Sequence, residues 1–209
     1  MRALCIWVLL LGTLPVPASA RTLLVLGDSL SAAYGLPEAA GWVALLAGRL
    51  PGDRVVNASV SGETTAGGLA RLPALLEQWR PDWVLLELGG NDGLRGLPPA
   101  HTRNNLARMI ELSRAAGAKV LLIGIRLPPN YGQAYVQAFE RIYPELAESH
   151  EVPLVPFLLE GVATRPELMQ PDGIHPRAEA QPLMLENVWQ ILAPRLGVAG
   201  EAAASDAGG

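Results

Sequence analysis

Cysteine is nearly absent from this chain of 209 residues, in which Cys5 is the single one. A chain with one cysteine cannot form an intramolecular disulfide, so its stability must come from an apolar core. Lysine is equally scarce, with one residue at Lys119, and the formal net charge is −4 at pH 7. The arginines are scattered rather than clustered, and the excess of acidic residues argues against a nucleic acid as partner.

Long apolar runs are also missing, except at residues 3–14, directly after Met1-Arg2. This run is shorter than the ~20 residues that a membrane-spanning helix needs, and Ala18-Ser19-Ala20 follows it. A basic start, a short apolar segment and a small-residue end are typical of a secretory signal peptide. We therefore predict that residues 1–20 are cleaved together with Cys5, leaving no thiol nucleophile. The mature chain is then exported without a stable membrane anchor; an uncleaved anchor is the alternative.

Five short apolar runs alternate with longer segments of helical period, which is typical of a parallel sheet covered by helices on both faces. The fold class is therefore α/β, a three-layer α/β/α sandwich around a five-stranded parallel sheet. The strands are predicted at residues 22–27, 54–60, 82–88, 119–125 and 152–157. The main helices are predicted at residues 41–50, 67–79, 100–116, 134–149 and 179–196. No repeat or linker divides the chain, so we expect one domain over residues 21–197 and a disordered tail over 198–209.

Ligands of open α/β sheets bind beyond the carboxyl ends of the strands. Four polar segments of unusual sequence lie at that predicted edge or ahead of the last helix. They read GDSLS (27–31), SVSGETT (59–65), GGNDG (89–93) and DGIHP (172–176). We therefore expect any reactive groups of this chain to be found in these segments.

The four segments contain every part that serine hydrolysis requires: a hydroxyl, an imidazole, a carboxylate and donors for an oxyanion. Ser29, at a predicted strand-to-helix turn, is the candidate nucleophile, and His175 is the candidate base. Asp172, three residues before the histidine, is the candidate carboxylate that orients it. The backbone N–H groups of Ser29 and Gly62 and the side-chain amide of Asn91 are the candidate oxyanion donors.

Each segment taken alone also has a plainer interpretation. Asp28-Ser29 fits a helix N-cap, Gly62 fits a turn that needs a positive φ, and GGNDG fits an ordinary turn. His175 alone fits a structural role. The catalytic interpretation is favoured because the parts of one mechanism all occur at one edge of the predicted sheet.

The same four segments resemble those of the SGNH hydrolases, also called GDSL esterases and lipases, which are named for Ser, Gly, Asn and His in four separate blocks. Here the blocks supply Ser29, Gly62, Asn91 and His175, and Asp172 precedes the histidine by three residues as in that family. The resemblance extends over essentially the whole mature domain. It implies a flavodoxin-like SGNH hydrolase fold and a serine esterase or thioesterase acting on fatty-acyl substrates, without a cofactor. It also favours the periplasm over secretion as the destination.

Other site chemistries lack their residues. There is no G-x-S-x-G, so the nucleophile elbow of α/β-hydrolases is not implied, and no G-x-G-x-x-G or Walker pattern supports nucleotide binding. His101 and His150 fall in predicted helices, away from the four segments. Without an H-E-x-x-H or a Cys/His cluster, we predict no metal.

The substrate side is less specific in the sequence. The loops after the strands carry Leu94, Leu97, Tyr131 and Phe157, which we predict to form an apolar groove for an acyl chain. The alternative is that these side chains simply cover the core. A carbohydrate acetylesterase of the same family and a non-catalytic binding module are the rival functions. We expect a monomer whose partner is a small acyl ester or thioester.

An acidic residue, Glu87, interrupts an otherwise apolar predicted strand, WVLLEL. A carboxyl group buried in a sheet requires a hydrogen-bonding or charged partner. Arg126, at the end of the next apolar run, is the predicted partner.

Overall fold

The structure is a computed structural model, and it describes residues 20–198. The predicted signal peptide and the polar tail lie outside the described residues, apart from Ala20 and Val198. Everything below concerns the described part of the chain.

Five parallel strands form a single sheet, as predicted. They are β1 (Thr22–Gly27), β2 (Arg54–Asn57), β3 (Trp83–Glu87), β4 (Lys119–Ile123) and β5 (Leu154–Val155). Their order across the sheet is β2-β1-β3-β4-β5. The chain therefore extends the sheet first to one side of β1 and then to the other, so the order reverses between β1 and β3. In open α/β sheets, this reversal creates the crevice in which ligands bind.

Four of the strands end earlier than predicted. β2, for example, ends at Asn57, although the apolar pattern continues to Val60. The N–H of Ala58 still donates to the Val25 carbonyl at 2.8 Å, and that of Val60 to the Gly27 carbonyl at 3.1 Å. The residues beyond these strand ends belong to irregular loops at the carboxyl edge, where the polar segments lie.

The described part of the chain contains seven helices of five or more residues, of which the last follows β5 and the others lie between strands. They are α1 (Trp42–Arg49), α2 (Thr65–Trp79), α3 (Gly90–Leu94), α4 (Pro99–Ala115), α5 (Gln133–Glu140), α6 (Ile142–Ser149) and α7 (Gln181–Leu196). The single helix predicted over residues 134–149 is wrong, because α5 and α6 are separated at Arg141. Pro144 has no N–H to donate to the Glu140 carbonyl, so the ladder of helical hydrogen bonds is interrupted there.

Two apolar layers cover the sheet, one on each face, which confirms the three-layer sandwich. Alternate side chains of β1 enter opposite layers: Leu23 and Val25 pack towards α1 and α7, and Leu24 and Leu26 towards α2 and α4. All four are fully buried. Burial on both faces explains why the strands are continuous apolar runs rather than alternating ones.

Candidate active site

The segment that follows β1 contains Ser29 in a run of turns rather than at the start of a helix. The N–H of Ala32 donates to the Asp28 carbonyl at 2.9 Å, which forms a single helical turn, and that of Tyr34 donates to the Ser29 carbonyl at 3.1 Å. Ala33 and Gly35 then take left-handed conformations with φ of 56° and 75°. Because these residues end the helical geometry, the predicted strand-to-helix turn at Ser29 is wrong. We name residues 27–31 the nucleophile turn.

A chain of hydrogen bonds joins the nucleophile turn to the loop ahead of α7. The His175 ring lies with Nε2 at 2.9 Å from Ser29 Oγ and with Nδ1 at 2.7 Å from Asp172 Oδ2. The Tyr34 ring lies against the imidazole, with 4.3 Å between the ring centroids. The hydroxyl, the imidazole and the carboxylate proposed from the sequence therefore lie in contact in the order that proton transfer requires.

Asp172 is held as an anion by the backbone of its own loop. Its Oδ1 accepts hydrogen bonds from the N–H groups of His175, at 3.0 Å, and Ile174, at 2.9 Å. The backbone N–H of His175, with smaller contributions from the His175 ring and the Ile174 N–H, lowers the pKa of Asp172 to about 2. An ionised carboxylate only accepts hydrogen bonds, so it favours the tautomer in which His175 Nδ1 carries the proton. Nε2 is then free to accept a proton from Ser29.

Asn91 lies at the meeting point of three of the four segments. Its side-chain nitrogen donates to Asp28 Oδ2 at 3.1 Å and to the Glu63 carbonyl at 2.9 Å. Both protons of this amide are thus engaged in the resting protein. Gly62, one residue before Glu63, has a φ of 78°, and its carbonyl accepts from the Arg95 guanidinium at 3.0 Å. That left-handed conformation favours glycine at this position.

Four residues of the segment GGNDG lie in the short helix α3 and Gly89 precedes it, whereas the sequence also allowed an ordinary turn. Asp92 on this helix is buried, and its carboxylate accepts from both the N–H and the hydroxyl of Thr65, the first residue of α2. Asp92 therefore fixes α3 against α2. The sequence assigned no role to Asp92.

Gln170 connects the loop of the histidine to Tyr34, three residues after the nucleophile turn, and was not predicted from the sequence. Its side-chain nitrogen donates to the carbonyls of Tyr34, at 2.8 Å, and Pro176, at 3.0 Å. Its backbone N–H donates to the His175 carbonyl at 2.7 Å. A lone glutamine outside the four motifs carries no signal in the sequence, because its role depends on a residue 136 positions away.

The predicted pairing of Glu87 with Arg126 is wrong. Glu87, the last residue of β3, is fully buried, and its Oε2 accepts from the Ser31 hydroxyl at 2.6 Å. Arg126 is exposed, lies 3.4 Å from Glu160 and covers the Phe157 ring. β3 lies between β1 and β4, and the side chain of Glu87 is directed towards β1, where it reaches the nucleophile turn, rather than towards the end of β4.

Three of the four predicted substrate-binding side chains lie near one another. The Tyr131 hydroxyl donates to the Leu94 carbonyl at 3.1 Å, and the Tyr135 hydroxyl donates to the Leu97 carbonyl at 2.7 Å. Leu97 and Tyr131 are among the exposed large apolar residues, at 36% and 37%. Phe157 lies apart from these three, packed against the core layer of α1 and α7.

Two further properties concern residues 20–198 only. In this range, no group of three or more His, Cys, Asp or Glu side chains is arranged to hold a metal ion. The helices described there include none with the length and apolarity needed to cross a membrane.

Comparison with known proteins assigns this arrangement to a family. The model of the GDSL-like lipase/acylhydrolase family matches residues 25–182, which include all four polar segments. The chain belongs to this family. It is thus an acyl hydrolase, as the SGNH resemblance implied.

Named relatives of this GDSL hydrolase are similar over most of their length. Esterase TesA of Pseudomonas aeruginosa strain PAO1 is 57% identical over 201 residues, which cover 94% of this chain and 100% of the relative. Thioesterase 1/protease 1/lysophospholipase L1 of Escherichia coli strain K12 is 52% identical, covering 85% of this chain and 86% of the relative. A crystal structure of TesA superposes with a TM-score of 0.81 at 59% identity, covering 83% of this chain and 99% of that one.

Replacing Gln170 by alanine tests its role in holding the two halves of the site together. We expect kcat for an aryl ester to fall roughly 10- to 100-fold, because the imidazole and the hydroxyl lose a shared support. The control is Gln78→Ala, a change of the same type at an exposed position on α2. Equal kcat values for the two variants would contradict a positioning role for Gln170.

Proposed function

We propose that this GDSL hydrolase cleaves fatty-acyl esters and thioesters through a covalent acyl intermediate on Ser29. The observation that carries the proposal is the contact chain from Ser29 Oγ through the His175 ring to the Asp172 carboxylate. A serine hydroxyl is a weak nucleophile until a base removes its proton, and the chain supplies that base in an oriented tautomer.

The first step forms the bond between Ser29 Oγ and the acyl carbon. As the oxygen attacks, its proton moves to His175 Nε2, and the resulting imidazolium is stabilised by the ionised Asp172. The carbonyl oxygen becomes an oxyanion. Its donors in the proposal are the N–H groups of Ser29 and Gly62 and the amide of Asn91.

The second half of the cycle releases the two products. His175 gives its proton to the leaving alcohol or thiol as the bond between the acyl carbon and that group breaks. Water then attacks the acyl-serine, His175 takes its proton, and the ester bond to Ser29 breaks as the hydroxyl is restored. The free acid leaves.

Asn91 must change its hydrogen bonds during this cycle. Its amide protons are engaged by Asp28 and Glu63 in the resting protein. Donation to an oxyanion requires one of these protons to be shared or redirected, and a full negative charge attracts it more strongly than the neutral Glu63 carbonyl does. This exchange makes the interaction stronger in the transition state than in the ground state, which is the condition for catalysis.

The apolar side chains beside the site support a fatty-acyl substrate. Leu94 ends α3, and hydrogen bonds from Tyr131 and Tyr135 hold the neighbouring loops against this region. Leu97 and Tyr131 expose apolar surface there. The acyl chain would lie on this surface and gain roughly 0.8 kcal/mol for each CH₂ group that it buries. The relative named thioesterase 1/protease 1/lysophospholipase L1 is consistent with such substrates. A carbohydrate acetylesterase would not need this surface, and a mere binding module would not need the contact chain.

Substitution of the three site residues tests the mechanism. Ser29→Ala and His175→Ala should each lower kcat by several orders of magnitude, and Asn91→Ala by about 10² to 10³, because it removes one oxyanion donor. The measurement is steady-state hydrolysis of p-nitrophenyl butyrate, with circular dichroism to verify folding. Near-normal turnover by the His175 variant would refute the proposed mechanism.

A series of p-nitrophenyl esters from acetyl to palmitoyl, with palmitoyl-CoA beside it, tests the acyl surface. We expect kcat/KM to rise with chain length in the parent protein, and Leu97→Ser and Tyr131→Ser to reduce the rise by removing apolar contact. Leu183→Ser is the matched control, since Leu183 is similarly exposed but lies on α7. Equal kcat/KM for butyryl and decanoyl esters would rule out the surface, and activity on acetyl esters alone would favour the carbohydrate esterase.

We also propose that the mature protein starts at Arg21, resides in the periplasm and is a monomer. The signal-like sequence of residues 1–20 supports export. The test is to express the full chain in a Gram-negative host and to release the periplasmic proteins by osmotic shock. Intact-mass analysis should then give Arg21 as the first residue, and size exclusion should give a monomer. Retention of residues 1–20 in the membrane fraction would contradict the proposal.

A further inference from the structure

Two carboxyl groups lie buried side by side beneath the nucleophile turn. Glu87 is 0% exposed and Asp28 is 2% exposed. Glu87 is paired in register with Gly27, and the backbone N–H of Asp28 points at Glu87 Oε2, at 3.3 Å. The mechanism described above gives neither carboxyl group a part in proton transfer, and such a pair so close to the nucleophile requires a physical explanation.

Glycine at position 27 allows the Glu87 carboxyl to come this close. A Cβ atom at Gly27 would lie 2.6 Å from Glu87 Oε2 and 2.7 Å from Ser31 Oγ. Both distances are shorter than non-bonded atoms tolerate, so the contact between Glu87 and Ser31 depends on the missing side chain. The carboxyl group therefore packs directly against the backbone on which Ser29 is mounted.

The donors around the two carboxyl groups are unequal. Each oxygen of Asp28 accepts an N–H, from Leu30 at 3.0 Å and from Asn91 at 3.1 Å. Glu87 Oε2 receives the Ser31 hydroxyl and the longer Asp28 N–H, whereas Glu87 Oε1 is buried and has no hydrogen-bond partner among the described residues. A buried carboxylate oxygen without a donor is costly, so the negative charge belongs on Asp28 and the proton on Glu87.

We propose that Glu87 is a positioning residue of the active site. It is a neutral acid that fixes the nucleophile turn through Ser31, while Asp28 carries the single negative charge of the pair and orients the amide of Asn91. The inference rests on the proposed function of Ser29, because what Glu87 positions is that hydroxyl.

Ser31 is the residue through which Glu87 holds the nucleophile turn in place. Its hydroxyl is 2.6 Å from Glu87 Oε2, and its carbonyl accepts from the Asn57 side chain at 2.9 Å. Ser31 is thus fixed to β3 on one side and to the end of β2 on the other. Because Ser29 is only two residues earlier, its backbone is fixed as well. Ser29 Oγ therefore lies 2.9 Å from His175 Nε2 without an entropic cost of ordering the turn at each turnover.

Asp28 acts on the opposite side of the pair. An ionised carboxylate can only accept, so it selects the orientation of Asn91 in which the amide nitrogen, not the oxygen, faces the nucleophile turn. A neutral Asp28 would allow the reversed amide, which has no proton for an oxyanion. The charged Asp28 thus orients the Asn91 amide, and the neutral Glu87 accepts from the Ser31 hydroxyl. The two carboxyl groups hold two different donors of the same site.

The surrounding ionisable groups agree with this division of charge. Burial, followed by the charge of Asp28, raises the pKa of Glu87 well above its ordinary value, and Tyr143 on α6 also faces Glu87. Burial raises the pKa of Asp28 to about 6, against the opposing effects of the Leu30 N–H and of His175, and Asp92 on α3 also faces it. Burial likewise raises the pKa of Tyr143 well above its usual range, so the tyrosine stays neutral beside the pair.

Kinetics of four variants test the positioning. Glu87→Leu should lower kcat for p-nitrophenyl butyrate about 10- to 100-fold with KM within roughly twofold, because the turn loses its support and the substrate surface is untouched. Ser31→Ala should give a similar loss, and the double variant no more than the larger single one, since both remove one contact. Glu87→Gln should restore most of kcat, because an amide is neutral and keeps an acceptor for Ser31. A Gln variant as impaired as the Leu variant, or additive losses in the double variant, would overturn the proposal.

The protonation state is tested by stability, which does not depend on activity. A pKa raised by folding means that the native state keeps a proton which the unfolded chain loses above pH ~4.3. The folded-to-unfolded ratio of the parent, relative to Glu87→Gln, should then fall about tenfold for each pH unit from pH 5 upward, until Glu87 ionises in the folded state. Urea titrations between pH 5 and 9 measure this ratio. A constant difference would show that Glu87 is ionised at neutral pH and would refute the neutral acid, whatever the fate of the mechanism at Ser29.

Discussion

The close approach of β1 to β3 at their carboxyl ends is the constraint on which the rest of the site depends. Gly27 faces Glu87 across the sheet, and a side chain at position 27 would collide with the glutamate carboxyl. The two strands are neighbours because the sheet order reverses between them, and both are buried on both faces. The rigid core thus determines where the loop with Ser29 and the short helix with Asn91 begin, and these segments need only a few residues to meet.

Loops rather than helices position the reacting groups, and cross-links between loops compensate for their intrinsic freedom. Asn91 ties the nucleophile turn to the segment of Gly62 and Glu63, and Gln170 ties the histidine loop to Tyr34. Asp172 accepts from the backbone of its own loop, so the base and its orienting carboxylate form one unit. The cross-links made by Asn91 and Gln170 join residues distant in sequence, which restricts the loops in the folded state without lengthening any helix or strand.

Much of this arrangement could be predicted from the sequence, because apolar periodicity and motif order report on it directly. The five-stranded sheet and the contact of Ser29, His175 and Asp172 follow from apolar runs and from four ordered segments. The division of residues 134–149 into two helices depends on one missing N–H at Pro144, which the apolar period does not register. The partner of Glu87 could not be predicted, since β3 lies between β1 and β4 and the apolar pattern does not show towards which of them the carboxyl group is directed. The pairing with Arg126 assumed the β4 side. The role of Gln170 could not be predicted either, because its partner Tyr34 lies far away in the chain.

Three carboxyl groups within the site show how environment, not residue type, sets their charge. Asp172 is partly exposed and receives N–H groups from its own loop, which lowers its pKa to about 2, so it remains an anion over the whole working range. Asp28 is buried with one donor for each oxygen, and its pKa is raised to about 6. Glu87 is buried with a donorless oxygen, and it is the one that stays neutral. An acyl hydrolase needs an anion beside the imidazole and a fixed hydroxyl, and it must avoid two adjacent negative charges under the developing oxyanion. Asp172 supplies that anion, and a neutral Glu87 bonded to Ser31 meets the other two requirements. If both carboxyl groups of the pair were charged, their repulsion would act at the point where the transition state gains its own negative charge.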